Sequence, residues 1–84
     1  MRSLGFNYSS VKVVVHHRGD AHHARAGSGE AAQLASSTNA GIYAAEAAAR
    51  KFLGSAGDIA LDLKQNGDGG HGIPSIYVAR RIVL

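Results

Sequence analysis

The chain predicts an α+β fold, a small antiparallel sheet in the order β-β-β-α-β-β with one alanine-rich helix packed on one face. Three observations carry that expectation. Stretches early and late in the chain alternate apolar and polar residues at period two. Between them lies one alanine-rich segment with capping residues before it and a glycine after it. The 84 residues suffice for one layer of each kind, and they read as a single domain, 1–84, near the lower size at which a chain folds alone.

The first strand is set by Val11, Val13 and Val15, which share one face, and β-branched valines suit a pleated strand. Arg18-Gly19-Asp20-Ala21 supplies a tight turn, and residues 22–26 return as a second strand. A two-residue Gly19-Asp20 turn fixes the register. His17 meets His22, His16 meets His23, Val15 meets Ala24 and Val14 meets Arg25. One face then holds Val11, Val13, Val15, Ala24 and Ala26. The other holds Lys12, His16, His23 and Arg25, a wet cationic face.

Gly27-Ser28-Gly29-Glu30 reads as a second turn, with residues 31–36 as a third strand. The alternative is a helix over residues 29–35 capped by Ser28, which alanine, glutamine and leucine favour on propensity. The strand is preferred because Ser36-Ser37-Thr38-Asn39 is the better capping cluster. The helix follows over residues 40–53, with Thr38 or Asn39 as cap and Gly54 as the left-handed stop. Ile42, Ala45, Ala49, Phe52 and Leu53 form its expected buried stripe. Glu46 and Arg50 lie four apart on the outer side, beside Tyr43, Ala47 and Lys51.

The fourth strand, residues 58–64, is the clearest alternation: Ile59, Leu61 and Leu63 inward, Ala60, Asp62 and Lys64 outward. A loop over residues 65–74 has glycine at positions 67, 69, 70 and 72. Residues 75–84 close the chain, with Ile76, Val78 and Ile82 on one side and Tyr77, Ala79, Arg81 and Val83 on the other. Arg80 falls on the Ile76 side and needs an edge or an acid. Residues 1–6 are read as disordered or as an edge strand.

Composition narrows function more than any motif does. Without cysteine, neither a disulfide nor a cysteine-ligated zinc staples the core. The formal net charge of +3, which five histidines raise at mildly acidic pH, suits acidic partners. It is not the dense basic footprint of a dedicated DNA-binding domain, and stacking platforms are scarce with Trp 0, Tyr 3 and Phe 2. No apolar run is long enough to span a bilayer and none near the start resembles a secretory signal, so the expectation is a cytoplasmic protein without a membrane association.

The histidine pairs are the loudest local signal. Each face of the hairpin offers two imidazoles, whereas a zinc site needs three or four ligands, so no metal and no cofactor is expected. Arg18-Gly19-Asp20 spells an integrin-binding tripeptide but reads as a hairpin turn. The loop over residues 67–72 matches neither phosphate-cradle pattern, having no lysine at its end and no helix after it. No spacing joins a nucleophile to a base and an orienting acid, and Asp68 and His71 in a glycine loop lack the fixed geometry of proton transfer. The chain therefore reads as a non-enzyme.

The pieces His23-Ala24-Arg25-Ala26-Gly27, Ala35-Ser36-Ser37-Thr38 and Ala44-Ala45-Glu46-Ala47-Ala48-Ala49-Arg50-Lys51-Phe52-Leu53-Gly54 form a cadence over residues 23–54. It resembles small proteins of phages and mobile elements, in particular anti-CRISPR proteins, short non-enzymatic inhibitors of CRISPR-Cas complexes. The resemblance implies a strand meander entering a helix, and steric blocking of a host Cas subunit in the host cytoplasm. It assigns no individual residue. The basic balance departs from the acidic, nucleic-acid-mimicking members of that group.

From the residues themselves, the expected partner surface comprises Lys12, His16, His23 and Arg25 on the first hairpin. Asp68 and His71 form a second patch on the glycine loop, and Arg50 and Lys51 contribute from the helix exterior. The first expectation is an inhibitor that covers part of a host protein complex. The second is a small basic nucleic-acid-binding or regulatory protein using the same patch. Either a monomer or a homodimer fits, since the apolar Ile82, Val83 and Leu84 leave edge-to-edge pairing open.

Overall fold

The alternating valines form β1 (Ser10–Arg18), which turns into β2 (Ala21–Ala26). At the turn Gly19 has φ +62°, a left-handed conformation that side chains with a Cβ rarely adopt. In this computed structural model, which describes residues 10–54, 58–67 and 72–82, the hairpin register pairs His16 with His23 and His17 with His22, as the two-residue turn requires. A three-residue 3-10 turn, Gly29–Ala31, precedes β3 (Gln33–Ser37). The strand reading of this region holds and the seven-residue helix does not. The remaining elements are α1 (Gly41–Leu53), β4 (Asp58–Gln65) and β5 (Ser75–Ile82).

All five strands run antiparallel to their neighbours in the order β3-β2-β1-β5-β4. The architecture is α+β, with one helix on one face of the sheet. β5 inserts between β1 and β4, so among the described residues the final strand is internal and the two edges are β3 and β4. Ile82 lies on this strand and pairs with Asp58 of β4. Val83, Leu84 and residues 1–6 lie outside the described residues.

The core is a valine-on-alanine interface. Val11, Val13 and Val15 of β1, Ala24 and Ala26 of β2 and Ala79 of β5 meet Ala44, Ala45, Ala48, Ala49 and Leu53 of α1. Methyl-sized side chains let the helix axis approach the sheet closely. Complete burial of a valine such as Val13 contributes about 1.5–3 kcal/mol. The buried helix face is centred on Ala45 and Ala48 rather than on the stripe through Ile42. Ile42 sits at its margin in the first turn and is 47% exposed. The outer side follows expectation, with Arg50 bound to Glu46 at 3.0 Å.

The helix ends also divide expectation from outcome. Ala40, not Thr38 or Asn39, occupies the cap position, and no side chain caps the first turn. Ser37 Oγ instead accepts from the Asn39 N–H at 3.1 Å, so the polar cluster organises the loop before the helix. At the other end Gly54 takes φ +96° and its N–H donates to the Arg50 carbonyl at 2.9 Å, a glycine stop.

α1 packs on β3, β2 and β1 and only grazes β5 and β4. The sheet face beneath the helix is therefore unevenly covered. Ile59 and Leu61 are half-buried, and Leu63, expected inside, is 51% exposed. Arg80 projects from the opposite face and finds an acid, with its Nε 3.2 Å from Asp62. Among the described residues no helix is long and apolar enough to cross a membrane.

Candidate functional site: the open face of the sheet

Period-two alternation and register together build the site. On β1, Lys12, Val14, His16 and Arg18 point away from the helix, because Val11, Val13 and Val15 point toward it. Pairing brings Arg25 opposite Val14 and His23 opposite His16. Arg25 thus sits diagonally between Lys12 and His16, within reach of long side chains. Lys12, His16, Arg18, His23 and Arg25 are all exposed. The first three lie on β1 and the last two on β2, adjacent paired strands, so the backbone beneath them is fixed by the sheet rather than by a loop.

A shallow hollow of about 520 Å³ runs between these side chains, lined by Lys12, Val14, His16, Arg18, Arg25, Gly27 and Ser28. Neither Lys12, Arg18 nor Arg25 has an ion-pair partner among the described residues. Three other cations are engaged: Arg80 with Asp62, Arg50 with Glu46, and Lys51, whose Nζ donates to the Leu34 carbonyl at 2.6 Å. Three permanent charges with two imidazoles among them concentrate positive charge on this face.

Of the sequence candidates, Lys12, His16, His23 and Arg25 come together. Arg50 and Lys51 lie on the helix, away from the open face, and are already held by Glu46 and Leu34. Asp68 and His71 lie outside the described residues. Arg18 was missed by sequence reasoning, which assigned it to the turn. Its signal was present in the continued alternation of positions 12, 14, 16 and 18.

Ser36 is opposite His23, which is opposite His16, giving a serine–histidine–histidine row across three strands. No hydrogen bond joins Ser36 to His23 among the described residues, and no carboxylate there orients either imidazole. On the helix side, His17 and His22 stack with ring centroids 4.2 Å apart and planes 9° from parallel. They border a cavity of about 210 Å³ with Gly41, Asn66, Ser75 and Tyr77. Ring nitrogens donate lone pairs in the ring plane, so two parallel rings do not converge on one ion. Among the described residues no group of three histidine or acidic side chains gathers for a metal. Comparison with protein-family models, curated proteins and solved structures gave no match for this chain.

Proposed function

We propose that this protein is a non-enzymatic interaction module that covers an acidic surface on a larger protein with the open face of its sheet. Lys12, Arg18 and Arg25 supply the charge, and His16 and His23 supply adaptable hydrogen bonding between them. The observation that carries this reading is the cluster of three cations, without acidic partners among the described residues, on the rigid side of a paired hairpin. Unopposed charge on a flat, preorganised surface complements an acidic partner and speeds encounter with it. The resemblance of residues 23–54 to anti-CRISPR inhibitors narrows the partner to a subunit of a host CRISPR-Cas complex. Occlusion is then the mechanism, with the asserted surface lying over a functional site of that subunit.

A nucleic-acid partner is the second reading, since phosphates satisfy the same cations. The open face carries no Phe, Tyr or Trp among the described residues, so large stacking platforms are lacking there and phosphate contacts to the cations would dominate. The two readings part under salt. Phosphate contacts lose affinity along a log–log slope of about −0.9 per neutralised phosphate. The direct experiment measures binding to a purified CRISPR-Cas effector complex, and its target cleavage, with the wild type and with Lys12→Glu/Arg25→Glu. Inhibition abolished by the double variant supports occlusion. Binding only to nucleic acid, with the steep salt slope, replaces it with the second reading.

A further inference from the structure

We propose that two copies of this chain pair through β4, antiparallel about Leu61, and extend the sheet to ten strands. The two edges of the sheet are finished differently. β3 spans five residues, and Lys51 reaches across the helix–sheet gap to its Leu34 carbonyl at 2.6 Å, blunting that rim. β4 spans eight residues, pairs among the described residues only with β5, and is barely reached by the helix. An edge strand presents alternate N–H and C=O groups outward, ready for another strand. Here they adjoin an apolar row, Ile59 and Leu61 half-buried and Leu63 51% exposed.

The occupant is a second copy because β4 is its own complement. With Leu61 opposite Leu61 of the second copy, Ile59 meets Leu63, Ala60 meets Asp62, and Asp58 meets Lys64. The helix side of the junction becomes an unbroken aliphatic row of Ile59, Leu61 and Leu63 from each copy. An opposite-charge pair of Asp58 and Lys64 closes each end. Asp62 is held by Arg80 of its own chain at 3.2 Å and faces only alanine. The neighbouring registers that keep apolar residues on the helix side are worse. Centring on Ala60 sets Asp58 against Asp62, and centring on Asp62 sets that residue against itself, and like charges directly opposite destabilise a strand pair. A bulge between Leu63 and Gln65 marks the end of the strand, beyond the aliphatic row.

The test is sedimentation equilibrium on the wild type, Asp58→Lys, Lys64→Asp, the double charge exchange and Leu63→Lys, with circular dichroism confirming each fold. Asp58, Leu63 and Lys64 are exposed, so these changes leave the monomer core intact. The wild type is expected to approach twice the 8.7 kDa of one chain as concentration rises. Each single charge change raises the dimer dissociation constant about tenfold or more, the double exchange restores it, and Leu63→Lys removes the dimer. A mass that stays at one chain up to about millimolar concentration, where only very weak association escapes detection, overturns the proposal. A dimer indifferent to the single charge changes overturns it equally.

Discussion

Replacing Gly27 with alanine probes the junction on which the helix–sheet packing turns. Gly27 continues the hairpin, its N–H donating to the Lys12 carbonyl at 3.1 Å, and its φ is +85°. A Cβ built there lies 2.5 Å from Cε2 of Phe52, the ring that closes the end of the core. Two costs add. The left-handed backbone costs about 1–2 kcal/mol for a residue with a Cβ. Displacing the half-buried ring costs about 1–3 kcal/mol more, as overpacking does. The total of about 2–5 kcal/mol is a large share of the roughly 4–13 kcal/mol expected for a chain of this length. Gly29 provides the control, with φ +68° and nothing within 4 Å of an added Cβ. Urea denaturation of Gly27→Ala, Gly29→Ala, Phe52→Leu and Gly27→Ala/Phe52→Leu separates the terms. Gly29→Ala registers the backbone cost alone, and shortening Phe52 recovers part of the excess in Gly27→Ala. Equal destabilisation by the two alanine variants refutes the packing account.

Two further outcomes follow from the same geometry. Ala48→Leu forces volume into a site with no exposure and lowers stability by about 1–3 kcal/mol or more, whereas Ala47→Leu on the exposed side stays within about 0.5 kcal/mol, both read from urea midpoints. Asp62→Ala removes a partner from an exposed ion pair and costs at most about 1 kcal/mol in the same assay.

Legibility varied along the chain for physical reasons. The register of the first hairpin was readable because a two-residue turn and β-branched alternation leave one pairing, and that pairing dictates which cations share a face. The helix end at Gly54 was readable because only glycine is comfortable at its φ of +96°. The helix face was readable in part: Ala45, Ala49 and Leu53 are buried and Phe52 packs on the core as expected, but an alanine-rich helix has several nearly equivalent apolar stripes. Only the sheet decides that Ala44 and Ala48 go inside and Ile42 does not. Leu63 looked internal because alternation reports which side of the strand a residue takes, not whether the helix reaches that far. The insertion of β5 between β1 and β4 is a long-range pairing with no local signature. Arg18 was hidden by its neighbours, because Gly19 and Asp20 mark a turn so strongly that the strand before it was cut short.

Dimerisation through β4 constrains how the open face would be used. A two-fold axis perpendicular to the junction leaves both cationic faces on the same side of the extended sheet. Five interstrand steps separate β1 from β1 of the second copy, about 24 Å at the usual spacing. Each step also turns the sheet by roughly 20–25°, so the two patches are rotated by about 100–125° and do not present one plane. A flat acidic surface therefore engages one patch, and the dimer binds one partner per protomer rather than gaining avidity on a single one. Titration calorimetry with the wild type and Leu63→Lys, the variant expected to be monomeric, decides the matter. The expected result is one partner per chain in both, similar affinities, and a complex of half the mass for the variant. A drop in affinity of about 100-fold on losing the dimer means that both patches grip one partner, and the twist-based geometry is then wrong.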